Sequence, residues 1–303
     1  MDNPILHSFV SLTVFTLMLA LGVNHSFEQL TSLWRRPGLL LRSLVAVVFL
    51  VPLVVVLLLW VFDLPPAVAT GLAVLAAAPG APLTYKRSQM AGGDPTYSAS
   101  LQLTLALLAV GITPLILALF YSLFEFVTEG VTLFQVARQV GQVTFLPVII
   151  GLSLQQFAPR LAEVLRKPVL VLANILFILL LLMLVLLLAL VPELRAMLTV
   201  GWLPTVAILF MVVVSLTIGH LLGGPRRDQR STLATACIAR NVGLALFIAQ
   251  LCDYGQQFIP TLLTYMILGG LLAVPYAVWS KRQLTLRQES ESGKSDLNLR
   301  GML

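Results

Sequence analysis

The sequence predicts an all-α polytopic membrane protein with about nine transmembrane helices. Three observations carry that prediction. Of 303 residues, 58% are hydrophobic and 11% charged, with a mean hydropathy of +0.96, whereas a soluble domain carries about 25% charged residues. So little charge cannot cover a water-facing surface of this size, which excludes a soluble enzyme, a disordered chain and a secreted disulfide scaffold. Apolar runs near the roughly 20 residues that cross a bilayer recur along the whole chain. The basic residues gather after alternate runs. Two cysteines, Cys237 and Cys252, both in apolar stretches, make no disulfide framework.

The first run, 4–23, opens with Asp2 where a signal peptide needs positive charge, so it is kept as a span. The second, 38–62, is an unbroken Leu/Val stretch. The third, 64–91, is interrupted at Pro79-Gly80-Ala81-Pro82. A tight turn, Gly92-Gly93-Asp94-Pro95, leads into the fourth, 95–124. The fifth, 132–157, and sixth, 168–191, are separated by Arg160, Arg166 and Lys167. The seventh, 201–222, ends in Gly219 and Gly223, a GxxxG pair read as close packing within one monomer. The eighth, 231–251, has Arg240-Asn241-Val242-Gly243 between two apolar halves, and the ninth is 258–280. Residues 282–303, polar and mixed in charge, are expected as a disordered cytoplasmic tail behind a transmembrane domain of 1–281.

Basic clusters follow every odd-numbered run: Arg35, Arg36 and Arg42; Lys86 and Arg87; Arg160, Arg166 and Lys167; Arg226, Arg227 and Arg230; then Lys281 onward. The other side carries Asp2, Asp63, Glu125, Glu129, Glu193 and Asp253, with Arg195 and Arg138. The positive-inside rule places the C-terminus in the cytoplasm and the N-terminus outside, in a cell (inner) membrane. The net charge of +6 is this orientation signal, not a nucleic-acid footprint.

Runs three and eight are broken helices in matching places of opposite polarity, as in an inverted repeat. Pro79 and Pro82 remove backbone donors, Gly80 allows unusual dihedrals, and Gly243 belongs to the second break. Broken helices persist at membrane depth only where protein or a polar cavity satisfies the freed backbone groups. A matched pair points to a transporter's midplane binding site; two unrelated kinks are the plain alternative.

At these residues the chain resembles the bile acid:sodium symporter family. Residues 79–102, PGAPLTYKRSQMAGGDPTYSASLQ, are similar to its first crossover helix, and residues 234–246, ATACIARNVGLAL, to its second. The resemblance implies panel and core domains, with the broken helices crossing in the core and no tenth, leading helix. It implies an organic-anion carrier that uses symport. It also carries a sodium site onto Thr84, Tyr85, Ser98 and Gln102, with Tyr85 in place of an asparagine. The family's acidic ligand falls on Ala236 and its glutamine ligand on Arg240, so the carboxylate shared by two ions is missing.

The residues themselves agree, because all 13 acids fall at ends, loops or tail. Arginine stays protonated in proteins and repels a nearby cation. An ionisable residue at mid-membrane is a functional-site candidate. Arg240 is therefore expected either to stand in for the sodium beside an anionic substrate or to staple the broken helices. Asn241, Gln102 and Tyr85 are expected nearest the substrate. Lys86 and Arg87 read as an anion lure or as flanking charge. Cys237 reads as packing or as a soft ligand.

No HExxH, P-loop or GxSxG pattern appears, so no enzyme activity is expected. No metal and no cofactor are expected, and sodium is disfavoured. The expected function is secondary transport of an organic anion, bile-acid-like or a small carboxylate, without sodium coupling. Sodium- or proton-coupled symport, or a non-transporting ligand sensor, stand as alternatives.

Overall fold

The computed structural model describes residues 4–81, 84–124, 132–190, 201–249, 251–252 and 255–300, with side chains apart from 4–7, 184–185, 187–190, 256 and 287–300. Pro82 lies outside the described residues, as do Asp2, Glu125, Glu129, Glu193, Arg195 and Asp253. Among the described residues every regular element is helical. The protein is an all-α polytopic membrane protein.

Helix α1 (Pro4–Asn24) is followed after a bend of 84° by α2 (Phe27–Trp34). A capping box starts α2: Ser26 Oγ accepts from the Gln29 N–H, and Gln29 Oε1 accepts from the Ser26 N–H. Next come α3 (Pro37–Leu44), a π-helical turn (Val45–Leu50) and α4 (Val51–Val61), which form one span. The first half of the third stretch is α5 (Pro66–Ala77), and the second is α6 (Thr84–Met90).

Helix α7 (Pro95–Leu123) is N-capped by Asp94, whose Oδ1 accepts from the Tyr97 N–H. Helices α8 (Leu133–Val140) and α9 (Leu146–Phe157) join through a second π turn (Gly141–Phe145), and α10 (Pro159–Leu190) follows. The last four are α11 (Trp202–Leu222), α12 (Arg227–Ile238), α13 (Val242–Ala249) and α14 (Gly255–Arg300).

Among the described residues, seven helices are long and apolar enough to cross a membrane, or eight if the bent pair α1–α2 is one span. The sequence count of nine needs the third stretch as well, which comes as two short pieces, α5 and α6, neither long enough alone. Two further expectations differ from the structure. The sixth helix starts at Pro159, so the basic connection before residue 168 is itself helical, with Pro168 inside the helix. The last helix runs on to Arg300 where a disordered tail is expected from 282. Residues 281–300 are rich in Leu, Arg, Glu, Gln and Lys, all good helix formers, and no proline stops them.

The helices pack as two groups. Helices α1, α9 and α10 pack on one another; α4, α5, α6, α7, α11, α12, α13 and α14 form the other group. The groups meet where α1 touches α13 and where α7 lies along α8 and the second π turn. Gly219 and Gly223 let α11 lie against α12: a Cβ at Gly219 would stand 2.5 Å from the Ala234 Cα, and one at Gly223 2.4 Å from the Arg230 Cα. The GxxxG pair thus serves packing inside the monomer.

Candidate functional site

The two breaks lie against each other and are joined through their backbones. The Asn241 N–H donates to the Ala78 carbonyl at 2.9 Å, and the Ala81 N–H to the Ala239 carbonyl at 3.4 Å. Gly80 makes the first turn possible: its φ is +78°, and a Cβ there would stand 3.1 Å from the Leu105 Cβ of α7. Gly243 allows α13 to approach α1, since its Cβ would meet Val14 Cγ2 at 2.8 Å.

Arg240 stands at this crossing, 3% exposed. Its Nε donates to the Cys237 carbonyl at 3.2 Å, Nη1 to the Ala76 carbonyl at 3.2 Å and Nη2 to the Val47 carbonyl at 3.1 Å. Each acceptor is an orphan for a stated reason. Ala76 and Cys237 belong to the last turns of α5 and α12, whose final carbonyls have no helical donor. The Val47 carbonyl is freed by the first π turn: the Val51 N–H reaches back to Ala46, and Pro52, next in line, has no N–H. One guanidinium thus bridges three elements and places its charge at the negative ends of two helix dipoles. Tyr265 of α14 stands beside it and donates its hydroxyl to the Ile238 carbonyl at 2.9 Å.

The sequence alone does not locate these carbonyls. One of them, Ala76, lies just ahead of the first break, and the other two come from other elements. Pro52 was the nearest signal, but a proline in a regular helix strips the carbonyl four residues back, Val48, and it is the π turn that shifts the loss to Val47.

Asn241 is buried and caps α13: its Oδ1 accepts from the Leu244 N–H at 3.0 Å, while its Nδ2 has no hydrogen-bond partner. Gln102, on α7, performs a similar task for α6, its Oε1 accepting from the Tyr85 N–H at 3.1 Å. Tyr85 is half-buried, with its ring edge-on to His25 at 5.5 Å between centroids. Thr84 is buried and its hydroxyl donates to the Ala81 carbonyl at 2.7 Å. Ser98, one turn before Gln102 on α7, is buried with its hydroxyl unpartnered. Lys86 is exposed and Arg87 half-buried. Cys237 is a buried free thiol, and no group of three or more His, Cys, Asp or Glu residues suited to a metal occurs among the described residues.

Residues 11–196 match the Sodium Bile acid symporter family. The chain belongs to that family. Among its relatives, the P3 protein of Mus musculus is 29% identical over 269 residues, covering 84% of this chain and 55% of the mouse protein. The P3 protein of Homo sapiens is 28% identical over 166 residues, covering 54% of this chain and 34% of that protein. A rice protein (Oryza sativa subsp. japonica) named probable sodium/metabolite cotransporter BASS3, chloroplastic, is 26% identical over 171 residues, covering 55% of this chain and 40% of its own length. The chain thus spans about half or less of the length of these relatives.

Members of the sodium bile acid symporter family are membrane transporters, so the family raises the question of whether sodium fits this crossing. At the helix C-termini the Ala76 and Cys237 carbonyls accept from Arg240, and Ala236, buried four residues earlier, supplies no carboxylate. Of the residues of the implied ion site, Ser98 has a buried hydroxyl with no hydrogen-bond partner among the described residues. The matched stretch ends before the second break, so Arg240 and Asn241 lie beyond it.

Proposed function

We propose that the protein is a secondary carrier of a small organic anion, bile-acid-like or a simple carboxylate, that works by alternating access as a uniporter or exchanger without sodium. The observation that carries this reading is the guanidinium of Arg240 on three orphaned carbonyls. Half-helix C-termini and unwound carbonyls are the groups that hold a coupling cation in transporters with broken helices. Here a covalently attached cation takes that place and cannot be exchanged.

The two packing groups supply the parts that rock against each other, in the manner of a panel and a core. The buried, unpartnered Nδ2 of Asn241 is the donor offered to the substrate's anionic group, and Arg240 supplies positive potential behind it.

The test is uptake into proteoliposomes of radiolabelled bile acids and small carboxylates, with sodium or potassium outside. Uptake or counterflow equal in both cations supports the reading; uptake that requires a sodium gradient overturns it. A second reading is symport with one sodium held near Thr84, Ser98 and Gln102. The orphaned Ser98 hydroxyl favours it, as does the rice relative's name as a probable sodium/metabolite cotransporter.

A further inference from the structure

At the end of the bundle where α11 finishes, α12 begins and α14 passes residue 280 there is a cavity of about 260 Å³. His220, Arg227, Arg230, Trp279, Ser280 and Gln283 line it. None of these is acidic. Among the described residues neither Arg227 nor Arg230 has a carboxylate within 4 Å; Asp228 and Asp94 both pair with Arg226 instead. Arg227 spends Nη1 on the main-chain and side-chain oxygens of Gln283, at 3.3 and 2.7 Å, and Arg230 spends Nε on the Gly224 carbonyl at 2.7 Å. Among the described residues no other hydrogen bond engages either guanidinium. Two fixed positive charges therefore share one cavity with no counter-charge among the described residues, and Arg42 stands close by, near Gly224.

The third cationic-capable group is held in place. His220 Nδ1 meets the Tyr276 hydroxyl at 2.8 Å, and its ring packs against Trp279 at 5.5 Å between centroids. When Tyr276 donates to Nδ1, the ring proton sits on Nε2 as a further donor. Leu221 and Val278, next in sequence to the lining residues His220 and Trp279, are 73% and 63% exposed, and Trp279 is 49% exposed, so an apolar wall adjoins the cavity. A soluble anion has no use for that wall, but a lipid's acyl chains do. Basic pockets between transmembrane helices with an interfacial tryptophan suit an acidic headgroup.

We propose that this cavity binds the phosphate of an anionic phospholipid, with Arg227 and Arg230 on the phosphate oxygens and the acyl chains along Leu221, Val278 and Trp279. The site is separate from the helix crossing, and the proposal does not rest on the transport reading.

The test is a titration of the purified full-length protein, by native mass spectrometry and by thermal stability. The ligands are phosphatidylglycerol, phosphatidylcholine and inorganic phosphate. Phosphatidylglycerol is expected to bind and raise Tm, and the other two to have no effect. Arg227→Gln/Arg230→Gln is expected to bind phosphatidylglycerol about 25-fold more weakly, at about fivefold for each charge. The single exposed variant Arg227→Gln should lose about fivefold. Arg35→Gln/Arg36→Gln removes two charges elsewhere and should bind as the wild type does. Equal effects of inorganic phosphate and phosphatidylglycerol would overturn the lipid assignment. Equal binding by the wild type and the Arg227/Arg230 pair would overturn the site.

Discussion

Arg240→Ala removes three donors at once and leaves three buried carbonyls unpaired, at a cost of about 1–3 kcal/mol for each. The expected result is a large fall in Tm together with loss of transport. Arg240→Lys keeps the charge, but a single ammonium lacks the planar fork that reaches three acceptors, so it should fall between the two. The pair Ala236→Glu/Arg240→Gln restores a carboxylate and removes the built-in cation; its Tm should rise with sodium, where the wild type's does not. At Asn241 the capping and substrate roles separate. Asn241→Asp keeps an N-cap oxygen for Leu244 but puts negative charge where the proposed substrate's anionic group would dock, so it should fold and fail in uptake. The sequence makes Arg240 visible because a charge in an apolar run stands out. It does not show the acceptors, since carbonyls carry no signature in residue type.

The broken helices were readable as breaks from Pro79, Gly80 and the Arg240–Gly243 segment, because proline and glycine act locally. Gly80→Ala should cost about 1–2 kcal/mol, since its φ is positive and Leu105 crowds the added methyl, and a Tm lowered by several degrees would show it. The perpendicular helix α2 is absent from a reading tuned to long apolar runs, because eight residues fall below that window. Its signal was present as Ser26 and Gln29 ahead of Leu30 and Leu33. Its dock on α7 is polar: Ser100 Oγ donates to the Leu30 carbonyl at 2.6 Å and accepts from the Leu33 N–H at 3.0 Å, and Trp34 Nε1 donates to Thr104 Oγ1 at 3.0 Å. Ser26→Ala should cost about 1 kcal/mol through the lost cap, seen as a lower Tm.

At the scale of the whole molecule, the connections after stretches three and seven and the end of stretch nine come together. Gly92 and Gly93 lie against Leu284 and Thr232, and Asp94 pairs with Arg226 at 3.7 Å. That pairing, with Asp228, raises the pKa of Arg226 above its ordinary value, chiefly through the hydrogen bond to Asp228. Cysteines placed at 226 and 281, in a background lacking Cys237 and Cys252, should be labelled from the same side of the membrane, and one at 63 from the other. Alternating charge made this common end legible in the sequence, while the partition into two packing groups depends on which faces meet across long sequence separations and left no local pattern. The central claim is that Arg240 occupies the place of a coupling cation, and the most direct measurement is the Tm of the purified protein in sodium against potassium or choline at equal ionic strength. A ligand that binds the folded state at about 100 times its Kd adds about 2.7 kcal/mol, enough to move Tm. The account predicts the same Tm in all three salts; a sodium-specific rise would contradict it and make sodium symport the reading to pursue.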